Sequence, residues 1–148
     1  MDSGRDEEFG TGLAKIQMVV DLLSFSAAGA VAAIAPLVHP EMKVLAAPGV
    51  APARRYQSRE DFLAYFAEIR ALGISIRPDI SQVRLSPAGS VLVEGRLKIA
   101  GPTGTDEIRA WFVYTFRDGL IGSLESHLDP ELAASAAGII NRPAGGKH

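Results

Sequence analysis

After Gly73 the hydrophobic pattern of this chain changes its period, and that change constrains the fold more than any other feature. Before it, apolar side chains recur at three- and four-residue spacing. Beyond it, segments 74–85, 90–100, 106–117 and 120–128 alternate with period two and are rich in Val, Ile, Leu, Phe, Tyr and Trp. The turn signals Pro87-Ala88-Gly89, Gly101-Pro102-Thr103-Gly104 and Asp118-Gly119 separate them. Asp-Gly is a two-residue hairpin signal, because both central residues of the tight turn need positive φ. Four strands joined by hairpins make an antiparallel meander. Helices placed ahead of the sheet, rather than between its strands, make the fold α+β.

The helical half is readable in the same terms. In 13–25, Leu13, Ile16, Val20 and Leu23 recur at helical spacing, Thr11 offers an N-cap, and Gln17, Asp21 and Ser24 form a narrow polar stripe. An alanine-rich second helix over 27–37 ends at Pro36 and Pro40. A short strand, 42–46, and a Pro/Gly loop, 47–55, follow. Ser58 then caps a third helix: its side chain is placed to accept from the Asp61 amide, and Glu60 and Asp61 suit the positive helix end. Phe62, Phe66 and Ile69 form its apolar stripe, with Tyr65 beside them, and Gly73 terminates it as a left-handed cap.

A length of 148 residues, 47% hydrophobic and 22% charged, suits one globular domain. Residues 1–10 and 139–148 read as a disordered acidic tail and a flexible C-terminal tail, leaving 11–138 as the domain. With no cysteine, disulfides and thiolate metal sites are excluded. Three scattered histidines lack ligand spacing, and no Gly-rich phosphate loop is present, so neither metal nor cofactor is expected. The net charge of −2 gives no footprint for nucleic acid. The longest apolar run, 27–38, is interrupted by Pro36 and falls short of the roughly 20 residues that span a bilayer. The acidic N-terminus is unlike a signal peptide, so no membrane association and a cytoplasmic location are expected.

The order of elements resembles the NTF2-like superfamily, in particular its SnoaL-like branch, from about Leu13 to Gly138. The residues that carry the resemblance are Val91-Leu92-Val93-Glu94-Gly95-Arg96, the Pro-Thr-Gly hairpin, 111–116, Arg117-Asp118-Gly119-Leu120-Ile121 and His127-Leu128-Asp129. The resemblance implies a cone: a curved antiparallel sheet and three N-terminal helices enclosing an apolar pocket for a small, mainly apolar molecule. Metal-free acid–base chemistry of isomerase, cyclase, dehydratase or epoxide-hydrolase type is one implication. The alternative is a non-catalytic ligand sensor or dimerising interaction module. The positions matching the steroid-isomerase catalytic groups hold Leu22, Ala46 and Phe112. Those matching the limonene-epoxide-hydrolase groups hold Val44, Ala46, Glu94, Arg96 and Ser126, and of these only a Glu–Arg pair is ionic.

Candidate residues follow, each with a plainer alternative. Glu94 and Arg96 share one face of a strand, either the pocket face, as the resemblance implies, or the solvent face, as the alternation of Val91, Val93, Leu97 and Ile99 implies. Asp21 is either a carboxylate at the pocket mouth or part of a solvated stripe. Tyr114 is either a hydrogen-bond donor to a ligand or a packing ring. Tyr65, Phe62, Phe66, Phe112, Phe116, Leu124, Ser126 and Leu128 are expected to line the pocket. Trp111, Val113, Glu125 and His127 fall on the outer sheet face. That face needs cover from the segment 130–140 or from a second copy, and the resemblance implies a homodimer.

Overall fold

The structure, a computed structural model, describes residues 3–45 and 55–138. Eleven elements follow in order: α1 (Ser3–Ala28), α2 (Val31–Ile34), a 3-10 turn (Ala35–Leu37), β1 (Val38–Leu45), β2 (Arg55–Tyr56), α3 (Arg59–Ala71), β3 (Ser75–Leu85), β4 (Val91–Gly101), β5 (Gly104–Arg117), β6 (Leu120–His127) and α4 (Pro130–Ala136). Ala46, loop residues 47–54 and the segment 139–148 lie outside the described residues.

The four segments of period two become β3, β4, β5 and β6, each pair antiparallel. The last turn behaves as its residues require, with Asp118 at φ 53 and Gly119 at φ 79. Strand order across the six-stranded sheet is β2-β1-β6-β5-β4-β3. β1 joins the meander parallel to β6 rather than antiparallel. His39, on β1, secures this junction: its Nδ1 accepts from the Glu41 amide at 3.0 Å, and Nε2 lies 3.2 Å from Asp118 Oδ2.

The helical half departs from expectation in detail. α1 begins at Ser3, so residues 3–10 continue the helix instead of forming a tail, and Thr11 sits inside it. Its buried side is Val19 and Leu22, while Leu13 and Val20 are exposed. An apolar stretch this continuous leaves the facing side undetermined by spacing alone. The second helix is shorter than expected, because Gly29, at φ 70, turns the chain and Pro36 falls in the 3-10 turn. α3 begins as its sequence dictates: Ser58 Oγ accepts from the Asp61 amide at 3.1 Å, and Gly73 follows its end at φ 72.

Two apolar clusters result. The larger lies between helices and sheet, and includes Val19, Leu22, Ile34, Phe62, Val93, Leu97, Phe112 and Tyr114. The smaller lies on the other face of the sheet, where Ala133 and Ala137 cover Leu92, Trp111 and Val113. The outer face is thus covered at Trp111 and Val113 by the chain's own C-terminal segment. Among the described residues no helix is long and apolar enough to cross a membrane.

Candidate functional site

Helices and sheet do not meet everywhere. Between the C-terminal half of α1, α3 and the concave face of the sheet lies a cavity of about 870 Å³, within the ~300–1,000 Å³ usual for small-molecule sites. Period two decides what the sheet contributes: Leu97 from β4, Phe112 and Tyr114 from β5, and Leu124 and Ser126 from β6. In register, Phe112 faces Ser126 and Tyr114 faces Leu124. From α3, Phe62 and Phe66 stack edge to face at 5.1 Å, and Tyr65 meets Phe66 at 5.7 Å. α1 supplies Leu22, Leu23 and Ser26, and β1 supplies Val44. The buried members Leu22, Val44, Phe62, Leu97, Phe112, Tyr114 and Ser126 make the floor. The exposed members Ala27, Ala28, Ala67, Arg70 and Ala71 ring the mouth.

Among the described residues the lining holds no Asp, Glu, His or Lys; its ionisable members are Tyr65, Tyr114 and Arg70. Tyr114 is 2% exposed. Burial pushes its phenol far above the ordinary value, so at neutral pH it is a hydrogen-bond donor and not a base. No described residue hydrogen-bonds its hydroxyl. Ser26 is occupied differently, donating to Leu22 O at 2.7 Å along its own helix.

Several expected lining residues lie elsewhere. Glu94 and Arg96 are on the convex face, because the concave positions of β4 are the odd-numbered ones: Val91, Val93, Gly95 and Leu97. A one-residue slip in the matched register exchanges the faces of a strand. Glu94 pairs there with Arg109, whose Nε donates at 3.1 Å, and Arg96 lies 3.6 Å from Glu107. Lys98 and Asp79 continue this ionic surface at 3.8 Å. Asp21 is not in the lining; it accepts from Gln17 Nε2 at 2.8 Å. Phe116 packs where the first half of α1 closes the end of the sheet, with Lys15 Nζ 5.2 Å over its ring. Leu128 falls just beyond β6 and is 44% exposed. On the outer face Glu125 and His127 are half-buried, and His127 Nε2 is buried without a hydrogen-bond partner among the described residues. Arg70 and Ser75 are lining residues that spacing did not single out. Arg70 ends the third helix, where a basic residue has a ready role at the C-terminal dipole.

A curved sheet with helices over its concave face and an apolar cavity between them defines the NTF2-like cone. The SnoaL-like domain family matches residues 19–123, and the chain belongs to that family. Bal32a, from a soil-derived mobile gene cassette, has the same fold at TM-score 0.72 and 14% identity, over 79% of this chain and 90% of its own. An LEH-like epoxide hydrolase of M. tuberculosis is similar at TM-score 0.67 and 12% identity, over 79% of each chain. An NTF2-like protein of Burkholderia thailandensis is similar at TM-score 0.66 and 22% identity, over 83% and 95%. No curated protein matches the sequence.

Proposed function

We propose that this chain binds a small, mainly apolar organic molecule in the cone cavity, and that Tyr114 donates a hydrogen bond to an oxygen of that molecule. The observation that carries the reading is the lining itself: apolar and aromatic throughout its floor, with two hydroxyls, Tyr114 and Ser126, set among Phe62, Phe66, Phe112 and Leu124. Tyr65 contributes a further ring. An apolar wall with a few fixed polar groups is how proteins hold a drug-sized molecule and orient it.

The same lining favours binding over acid–base turnover. General acid–base catalysis needs a group that exchanges protons near neutrality. Tyr114 is held protonated, and no carboxylate or imidazole is in the described lining. Turnover of isomerase, cyclase, dehydratase or epoxide-hydrolase type is the second reading. Its support is the fold shared with the M. tuberculosis enzyme and the capacity of a neutral phenol to stabilise a developing oxyanion.

The test is a titration with N-phenyl-1-naphthylamine, an uncharged fluorophore that brightens in apolar surroundings. Saturable one-to-one binding is expected. Ala67→Trp, at an exposed position on the mouth, should abolish it without unfolding the protein, as judged by circular dichroism. Absence of saturable binding to the unaltered chain would sink the reading.

A further inference from the structure

We infer that the cavity selects molecules carrying a carboxylate at their solvent-facing end, and that Arg70 is the residue that determines this preference. The inference rests on the ligand-binding reading above and narrows it to one ligand class, an apolar body with a single anionic end.

Arg70 is the one formally charged side chain among the described lining residues, and it stands at the mouth. Its Nη2 donates to Gly29 O at 3.2 Å, across the corner between α1 and α2. Gly29 makes room for that reach: a Cβ there would collide with Arg70 Nη2. The guanidinium is therefore fixed over the opening rather than left to sweep through solvent. That bond uses one of the five N–H donors of its planar fork, which leaves others for a bidentate acceptor.

The carbonyls at the end of α3 would repel an anion if they were bare. They are not, because the amides of Leu72, Gly73 and Ile74 donate to Glu68 O, Arg70 O and Ile69 O. At the floor the available polar groups are neutral hydroxyls. The electrostatics of the cavity are thus one-ended: neutral within, cationic at the opening. A charged end group would avoid the apolar floor, where an unpaired ion is costly, and settle beside Arg70.

The experiment displaces N-phenyl-1-naphthylamine with decanoate, methyl decanoate or decyltrimethylammonium at pH 7.5, using the unaltered chain, Arg70→Gln and Arg70→Lys. Decanoate is expected to bind about tenfold tighter than its methyl ester, as one charge-assisted contact provides. Arg70→Gln should erase that ratio by weakening decanoate, and Arg70→Lys should keep part of it. The cationic amphiphile should bind weakest. Equal affinities for acid and ester, or a ratio that survives Arg70→Gln, overturn the inference and leave the cavity reading standing. Failure of the fluorophore itself to bind takes down the reading on which it rests.

Discussion

Tyr114 brings a phenol hydroxyl to the cavity floor, where no described residue hydrogen-bonds it. A residue kept only for packing would be served as well by phenylalanine. Tyr114→Phe is therefore expected to fold with a urea-derived stability at pH 7 equal to the unaltered chain or up to about 1 kcal/mol higher. It should also bind an oxygen-bearing apolar ligand several-fold more weakly. The pH dependence separates the two forms further. The folded-state phenol titrates above its unfolded value of about 10, so the folded chain holds a proton there that the unfolded chain releases. Its contribution is fully present below pH 10 and is lost as pH rises beyond it. Urea midpoints measured from pH 8 to 11 should fall more steeply for the unaltered chain than for Tyr114→Phe. Parallel curves would show that the phenol is not buried as described.

At the scale of elements, the cavity exists because the sheet bends, and Gly95 lies opposite Ile80, beside an irregularity in the pairing of β3 and β4. The pairing of those strands shifts register between Ile80 and Gln82, and an extra residue of this kind kinks and twists a strand. A Cβ on Gly95 would stand 2.6 Å from Asp79 O and 3.2 Å from the Ile80 Cα, backbone atoms that cannot swing aside. Gly95→Ala should cost about 2 kcal/mol. Gly101→Ala, whose new Cβ would meet Ile74 at 3.6 Å, should be nearly silent by the same denaturation measurement. This bend also explains what the sequence could and could not reveal. The strands, their turns and α3 were legible because alternation, Asp118-Gly119 and Ser58 are local signals. The parallel docking of β1 on β6 is a long-range choice that no local pattern encodes. Among the lining residues, Phe112, Tyr114, Leu124 and Ser126 followed from period two, and Phe62, Tyr65 and Phe66 from the helical spacing of α3. Glu94 and Arg96 were ambiguous because the resemblance put them on the pocket face while the alternation of Val91, Val93, Leu97 and Ile99 put them outside, and the local pattern is the one the strand follows. Arg70 gave no signal, since its role depends on Gly29, 41 positions away.

For the molecule as a whole, the convex face is divided between two kinds of cover. Toward β3 it is an ionic surface of Glu94, Arg96, Lys98, Asp79, Glu107 and Arg109, which stays wet and resists stacking on a second sheet. Toward the end of β5 it is apolar, and α4 lies on it. Asp129 caps that helix by accepting from the Glu131 amide at 2.8 Å, and Pro130 occupies its first turn. Leu92, Trp111 and Val113 are 6%, 8% and 0% exposed beneath it. Pairing of two copies through this face would have to displace α4 or use its outer side. Removing residues 130–148 should expose all three side chains, at a cost of about 3–5 kcal/mol by buried apolar area. The single tryptophan makes the outcome directly readable, because intrinsic fluorescence then reports on Trp111 alone. Its emission should shift to longer wavelength, and the shortened chain should self-associate in size-exclusion chromatography with light scattering, as a bared apolar sheet face does. Should the emission and the elution of the shortened chain match those of the full chain, α4 is not the cover, and a second copy regains its claim on Trp111 and Val113.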